Sequence, residues 1–234
     1  MDVEEIRDER LEMRDGVFQT VILANGALPT EMHAFEILRQ AEQIICCDGA
    51  VGKLVEAGLE PTAIVGDLDS MRKEDLQKWQ HCLYPDKSEE YNDLQKALKY
   101  CLAHQLDHIV LLGCNGLRDD HFIANLSIMA TYCEQLHLKM VTDYGTFIGL
   151  RQTTTLPSFA GQQISIFCKD EHLPLTFHGL KYPVQRRCFK HFWEGSLNEA
   201  LGEQFTIELH GSGTVILFLG NNETTKKQSS DTWT

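Results

Sequence analysis

The stretch Gly66-Asp67-Leu68-Asp69-Ser70 sets two carboxylates two positions apart where the apolar run Ala63-Ile64-Val65 stops. Leu68 can turn inward while Asp67 and Asp69 face the crevice at the carboxyl end of a strand, the place where open α/β sheets take ligands. Mg²⁺ is held by one or two carboxylates together with waters and phosphate oxygens, so an Asp-x-Asp at a strand end suits it. The competing reading gives Asp69 or Ser70 a capping role for a helix expected from Met71. Capping needs one such side chain and leaves Asp67 unexplained.

Three further groups carry possible chemistry. In Cys46-Cys47-Asp48-Gly49-Ala50, Asp48 follows a strand directly and Gly49-Ala50 opens the next helix. That junction offers backbone N–H groups and the positive end of a helix dipole to phosphate, although Asp48 could equally cap the helix. Asp93 stands in the first turn of an amphipathic helix behind Glu89 and Glu90, a placement the dipole alone favours. In Gly113-Cys114-Asn115-Gly116-Leu117-Arg118-Asp119-Asp120-His121, a glycine loop leads into a helix start crowded with charge. An arginine there opposes the dipole and makes sense where its planar fork meets phosphate. The alternative is a surface Arg–Asp pair of small value, with His121 a plain helix-face histidine.

These groups need elements to hold them. From Val17 to Asp143 apolar runs alternate with amphipathic ones. Strands are expected at Val17–Ala24, Gln43–Cys47, Thr62–Val65, His108–Leu112 and Leu138–Thr142, with a short extended piece at His81–Pro85. Helices are expected at 31–41, 50–58, 71–80, 92–104 and 119–134. The unalternating strand His108–Leu112 fits a parallel sheet covered on both faces, and repeated βα units imply right-handed crossovers. After Tyr144 short strands (146–150, 163–169, 205–211 and 214–219) are separated by Gly, Pro, Thr and Ser. They read as a small β-sandwich or barrel. The fold class is therefore α/β: an N-terminal three-layer α/β/α domain with a mainly parallel sheet, plus a C-terminal all-β sandwich-like domain. The boundaries fall as a charged extension 1–16, the α/β domain 17–144, the β domain 145–220 and a polar tail 221–234.

Bulk properties narrow the function. The 234 residues are 43% hydrophobic and 24% charged, with a formal charge of −13, as in an ordinary globular protein. That charge argues against a nucleic-acid partner, whose phosphates need a cationic surface, yet it permits phosphate ligands bridged by a cation. No run of 18 apolar residues is present, so no membrane span is expected. The charged first residues lack the form of a secretory signal and point to the cytoplasm. The eight scattered cysteines, with no Cys-x-x-Cys pair, read as buried thiols in a reducing compartment. His/Cys spacings of the zinc-motif kind are absent, as are the Walker and dinucleotide glycine fingerprints.

Taken in order, Asp48-Gly49-Ala50, Gly66–Ser70, Asn92-Asp93, Gly116–His121, Gly179-Leu180-Lys181-Tyr182-Pro183 and Glu194–Glu199 resemble the thiamine pyrophosphokinase (thiamine diphosphokinase) family. The resemblance spans residues 17 to 220. It implies a homodimeric enzyme with its site at the subunit interface, moving pyrophosphate from the co-substrate ATP to the hydroxyethyl group of thiamine and releasing AMP. Asp67, Asp69 and Asp93 would then hold Mg²⁺. Asp48, Gly49, Asp69, Ser70, Arg118 and His121 would serve the nucleotide, and Asp67, Asp93, Arg118 and Asp120 the chemistry. Ser196, Asn198, Trp193 and Asp120 would meet thiamine. Trp193, Phe192 or Tyr182 could stack on the thiazolium or belong to the core. Two positions depart from the family pattern: Asn92 stands where Thr is usual, and Leu197 where Ser is usual. Leu197 keeps open a related pyrophosphokinase acting on a pterin-like hydroxymethyl heterocycle. A non-catalytic nucleotide-binding module is the alternative outside enzymes.

Overall fold

The computed structural model describes residues 20–30 and 32–221; the expected N-terminal extension, the start of the first strand and the tail beyond Asn221 lie outside them. One compact unit ends at Asp143 and a second begins at Tyr144.

In the first unit the elements run β1 (Thr20–Leu23), α1 (Met32–Gln40), β2 (Gln43–Cys47), α2 (Val51–Glu56), β3 (Ala63–Gly66), α3 (Lys73–Lys78), β4 (Leu83–Pro85), α4 (Asp93–Ala103), β5 (Ile109–Leu112), α5 (Asp119–Tyr132) and β6 (Leu138–Thr142). The strands lie in the order β6-β5-β1-β2-β3-β4, all parallel. The chain steps outward from β1 to β4, then returns to the other side of β1 for β5 and β6. Right-handed crossovers therefore put α1 to α3 on one face and α4 and α5 on the other. Packing agrees: alternate strand residues Val21, Leu23, Ile44, Cys46, Ile64, Val110 and Leu112 share a core with Ile37, Leu38 and Leu54. The intervening Ile22, Ile45, Ala63, Val65, Ile109 and Leu111 are equally buried. Both faces are covered, which is why these strands show no polar alternation.

Local chemistry sets the element ends. Asn92 caps α4 by a capping box: its Oδ1 accepts from Gln95 N at 2.9 Å, and Gln95 Oε1 accepts from Asn92 N at 3.4 Å. The departure at Asn92 is thus one cap residue standing for another. Gly58, at φ 75, ends the turn after α2. Helix α3 begins two residues later than expected because Arg72 is extended and Met71 is buried in the core. The short piece at 83–85 is an edge strand paired with β3, where Pro85 is tolerated.

The second unit contains β7 (Gly145–Leu150), β8 (Thr154–Pro157), β9 (Gln163–Cys168), β10 (Leu175–His178), β11 (Gly195–Glu199), β12 (Gln204–Leu209) and β13 (Val215–Gly220). The antiparallel orders β11-β9-β13-β7 and β10-β12-β8 make two sheets. Ile164, Ile166, Leu217, Leu175, Phe177, Phe205 and Ile207 from both sheets fill one core, as a sandwich requires. Strands β8, β10 and β11 escape the sequence pattern: each is at most five residues long, and β11 carries a bulge.

Candidate functional site

The switch in strand order lies between β5 and β1, where the loops after two neighbouring strands part in opposite directions. A cleft of about 350 Å³ occupies this place, lined among others by Asn25, Gly26, Cys47, Asp93, Asn115 and Arg118. The starts of α4 and α5 face it through Asn92, Asp93 and Leu94 and through Arg118 and His121. Arg118 precedes α5 without a side-chain cap, so the amides of that first turn have no side-chain acceptor from the N-cap residue. The floor is tied by Gly26 N donating to Gly113 O at 2.6 Å and Ala27 N to Asn115 O at 2.8 Å. Asn125, buried, donates to Cys114 O at 3.0 Å.

Beside the cleft, Asp48, Asp67 and Asp69 offer carboxylate oxygens that all lie within 4.8 Å of one another. Register explains the meeting. Parallel pairing of Cys47 with Val65 puts the next residues, Asp48 and Gly66, side by side. The Asp48 carboxylate is buried and spans the gap, accepting from Gly49 N at 2.6 Å and Leu68 N at 2.9 Å. A Cβ on residue 66 would stand 2.6 Å from Asp48 Cγ, so only glycine fits there. Leu68 adopts φ 68 and packs on the core, at a cost of about 1 kcal/mol for the left-handed backbone. That conformation turns Asp67 and Asp69 outward, where both are exposed.

The electrostatics differ within the trio. Burial, then the charge of Asp93, pushes the Asp48 carboxyl up to about 6 against the two backbone donors. Asp67 is held below the usual range, chiefly by the Asp69 amide donating at 3.1 Å. A buried acid with raised pKa beside two exposed ones is an arrangement that a cation relieves. The all-oxygen donor set suits a hard divalent ion, so these residues fit Mg²⁺.

The placement of the other expected residues is mixed. Asp93 lines the cleft and acts on Asp48, but it lies outside the close trio, and Asp48 stands in its place. Its Oδ1 is 3.5 Å from the Nζ of Lys96, which is only 4% exposed. Arg118 pairs with Asp120 by two bonds of 3.0 and 2.6 Å, both side chains exposed; the guanidinium holds the Asp120 carboxyl down to about 2. Ser70 does not cap a helix: its hydroxyl donates to Asp69 Oδ1 at 3.1 Å. Gly49 sits against the Asn25 side chain, where a Cβ would come within 2.2 Å. His121 lines the cleft.

In the β unit, Asn198 faces inward. It is 5% exposed; Oδ1 accepts from Tyr182 N and Glu199 N, and Nδ2 donates to Tyr182 O, at 2.9 to 3.0 Å. Its amide joins the two motifs of that unit, with both acceptor positions of Oδ1 taken by backbone N–H groups. Ser196 Oγ donates to Trp193 O at 2.7 Å. Leu197 sits at the bulge with φ 60 and is exposed. Trp193, Phe192 and Tyr182 are exposed rather than core; Phe192 stacks on Phe167 and Trp193 on His191.

Two lysines went unnoticed in the sequence. Lys53 Nζ donates to Asn25 O, Asn25 Oδ1 and Gly26 O at 2.7 to 2.9 Å and so fixes the loop after β1. Lys96 brings a buried positive charge near the acids and helps lower Asp67.

Comparison with known proteins matches residues 35–142 to the family model "Thiamin pyrophosphokinase, catalytic domain" and residues 145–218 to "Thiamin pyrophosphokinase, substrate-binding domain". Thiamine pyrophosphokinase of Bacillus subtilis (strain 168) is 28% identical over 145 residues, covering 56% of this chain and 65% of that relative's length. The fold resembles the crystal structures of thiamine pyrophosphokinase from Bacillus subtilis (TM-score 0.69, 20% identity, 87% of this chain and 99% of that one) and Candida albicans (0.72, 16%, 87% and 89%). With both domain models matched in order over most of its length, the chain belongs to the thiamine pyrophosphokinase family of enzymes.

Proposed function

We propose that the chain is a thiamine pyrophosphokinase that transfers pyrophosphate from ATP to the hydroxyethyl oxygen of thiamine, with Mg²⁺, giving thiamine diphosphate and AMP. The observation that carries this reading is the convergence of Asp48, Asp67 and Asp69 beside a cleft at the switch point of the parallel sheet. These three would hold the ion, with Asp93 facing the same space; bound there, Mg²⁺ supplies positive charge against the phosphates. The protein's own part is positioning and neutralisation. The α5 start and Arg118 receive phosphate charge, and Lys53 holds the Asn25–Gly26 loop in place. Asp120, kept low by Arg118, is a weak base, so Asp93 takes the proton as the acceptor hydroxyl attacks the β-phosphorus in line and AMP leaves.

In the β unit, exposed Trp193 offers a face for the cationic thiazolium, and Ser196 Oγ retains acceptor capacity. A homodimer and a reducing, cytoplasmic setting complete the proposal; none of the eight cysteines is in a disulfide, and among the described residues no helix is long and apolar enough to cross a membrane.

Purified chain with ATP, Mg²⁺ and thiamine as sole acceptor should release AMP and thiamine diphosphate in equal amounts. The exposed Leu197 in the acceptor motif favours one second reading, a pterin-like acceptor. AMP release with a hydroxymethyl pterin but not with thiamine would select it. No AMP with any acceptor would leave a nucleotide-binding module.

A further inference from the structure

We propose that Asp107, His108 and His137 form a second cation site, for a transition metal of the Zn²⁺ type, at the amino ends of β5 and β6. In a parallel sheet that edge lies opposite the cleft. Nothing in the pyrophosphoryl-transfer reading uses these residues.

The register again makes the cluster. Ile109 pairs with Leu138, so the residues just before them, His108 and His137, stand side by side. Their rings lie nearly parallel, 8° apart, with centroids separated by 4.6 Å. His108 reaches this position through a left-handed backbone, φ 56, a conformation disfavoured for a residue with a Cβ. Asp107 is anchored between them. Its Oδ1 accepts from His108 N at 2.8 Å and His137 N at 2.7 Å. Its Oδ2 meets His137 Nδ1 at 2.6 Å. One ligand atom from each of the three lies within 4.8 Å of the others.

Two features go beyond a simple Asp–His staple. His137 Nε2 is buried and has no hydrogen-bond partner, so the second ring nitrogen is not spent on the protein. His108 is exposed and contributes no ring hydrogen bond to the trio, yet it is held in a costly backbone conformation over its neighbour. Two imidazoles and one carboxylate form the donor set of an open zinc site, with water completing the shell. The choice of metal follows from the donors. Imidazole suits Zn²⁺, Cu²⁺ and Ni²⁺, whereas Mg²⁺ wants oxygen and dehydrates reluctantly. The chain would thus sort two classes of ion at two ends of one sheet: a hard cation on Asp48, Asp67 and Asp69, a borderline one here. Bridging residues 30 apart in sequence, the second ion would clamp β5 to β6 and stabilise the folded state by mass action.

The test titrates the metal-free full chain with Zn²⁺ by calorimetry in excess Mg²⁺, alongside His108→Ala and Asp107→Asn. Expected are one Zn²⁺ per wild-type chain, a rise in melting temperature with Zn²⁺, and affinity at least about tenfold weaker in each variant, on the scale of disturbing a metal's ligand environment. Co²⁺ in place of Zn²⁺ should give visible d–d bands in the wild type that His108→Ala loses. Circular dichroism checks that each variant is folded. Wild type that takes up no Zn²⁺, or variants that bind it as tightly as wild type does, would overturn the proposal and leave the trio as a strand staple.

Discussion

The ends of β3 and β11 carry the two most motif-like stretches of the molecule, and they use their polar side chains in opposite ways. After β3, Asp67 and Asp69 are turned to solvent by a left-handed Leu68, and the inward acid, Asp48, has a raised pKa. Polar capacity is left over there. Along β11, Asn198 is buried with its amide oxygen given to Tyr182 N and Glu199 N and an amide N–H given to Tyr182 O, and Leu197 takes the exposed place at the bulge. Acceptor capacity is used up there. A motif residue is therefore an acceptor candidate where lone pairs remain after its backbone bonds are made, as on the carboxylates and not on the Asn198 oxygen.

The sharpest way to break this contrast is Asp67→Asn. Losing one preorganised charge at the β3 end should lower turnover at least about a hundredfold with little change in melting temperature; steady-state AMP release gives the answer, and near-normal turnover at saturating Mg²⁺ removes Asp67 from the site. Asn198→Ala should show the reverse pattern. It removes three half-buried hydrogen bonds to the backbone of Tyr182 and Glu199 and should cost about 1 to 3 kcal/mol of stability in urea unfolding. An unchanged unfolding midpoint would mean that Asn198 is not the joint described here.

The buried acid of the β3 end makes a pH prediction. Asp48 titrates higher in the folded state than unfolded, so its protonated form favours folding. Its contribution is complete below about pH 4 and lost as pH rises through about 6. The effect amounts to at most about 3 kcal/mol. In metal-free protein, the stability of wild type relative to Asp48→Asn should fall between pH 4 and pH 7. A pH-independent difference would argue against the raised carboxyl. Smallest is Ser196→Ala at the β11 end: the hydroxyl bond to Trp193 O is partly exposed, so stability should drop by about 1 kcal/mol or less. A rise in KM for thiamine at unchanged kcat would give Ser196 a binding role as well.

Much of the first unit was legible because its signals are local. Apolar runs, the Asn92 cap and the glycine after α2 act within a few residues, and the strands and helices fall close to where they were expected. The second unit was less so: β8, β10 and β11 are short and irregular, and their strand character comes from partners far along the chain. Residue type and spacing also singled out Asp67 and Asp69, whereas Asp48 and Asp93 read locally as helix-start acids and took their expected roles from the ordered resemblance.

What the sequence determined by itself was this inventory of elements and charged groups, since each depends on near neighbours and side-chain chemistry. The tertiary structure decided who meets whom. Pairing Cys47 with Val65 brings Asp48, rather than Asp93, to Asp67 and Asp69. Pairing Ile109 with Leu138 stacks His108 on His137. The physical reason is that parallel strands join through crossovers that leave register free of local sequence; burial of whole faces fixes it, and the residues just beyond each paired strand end are carried together as a consequence.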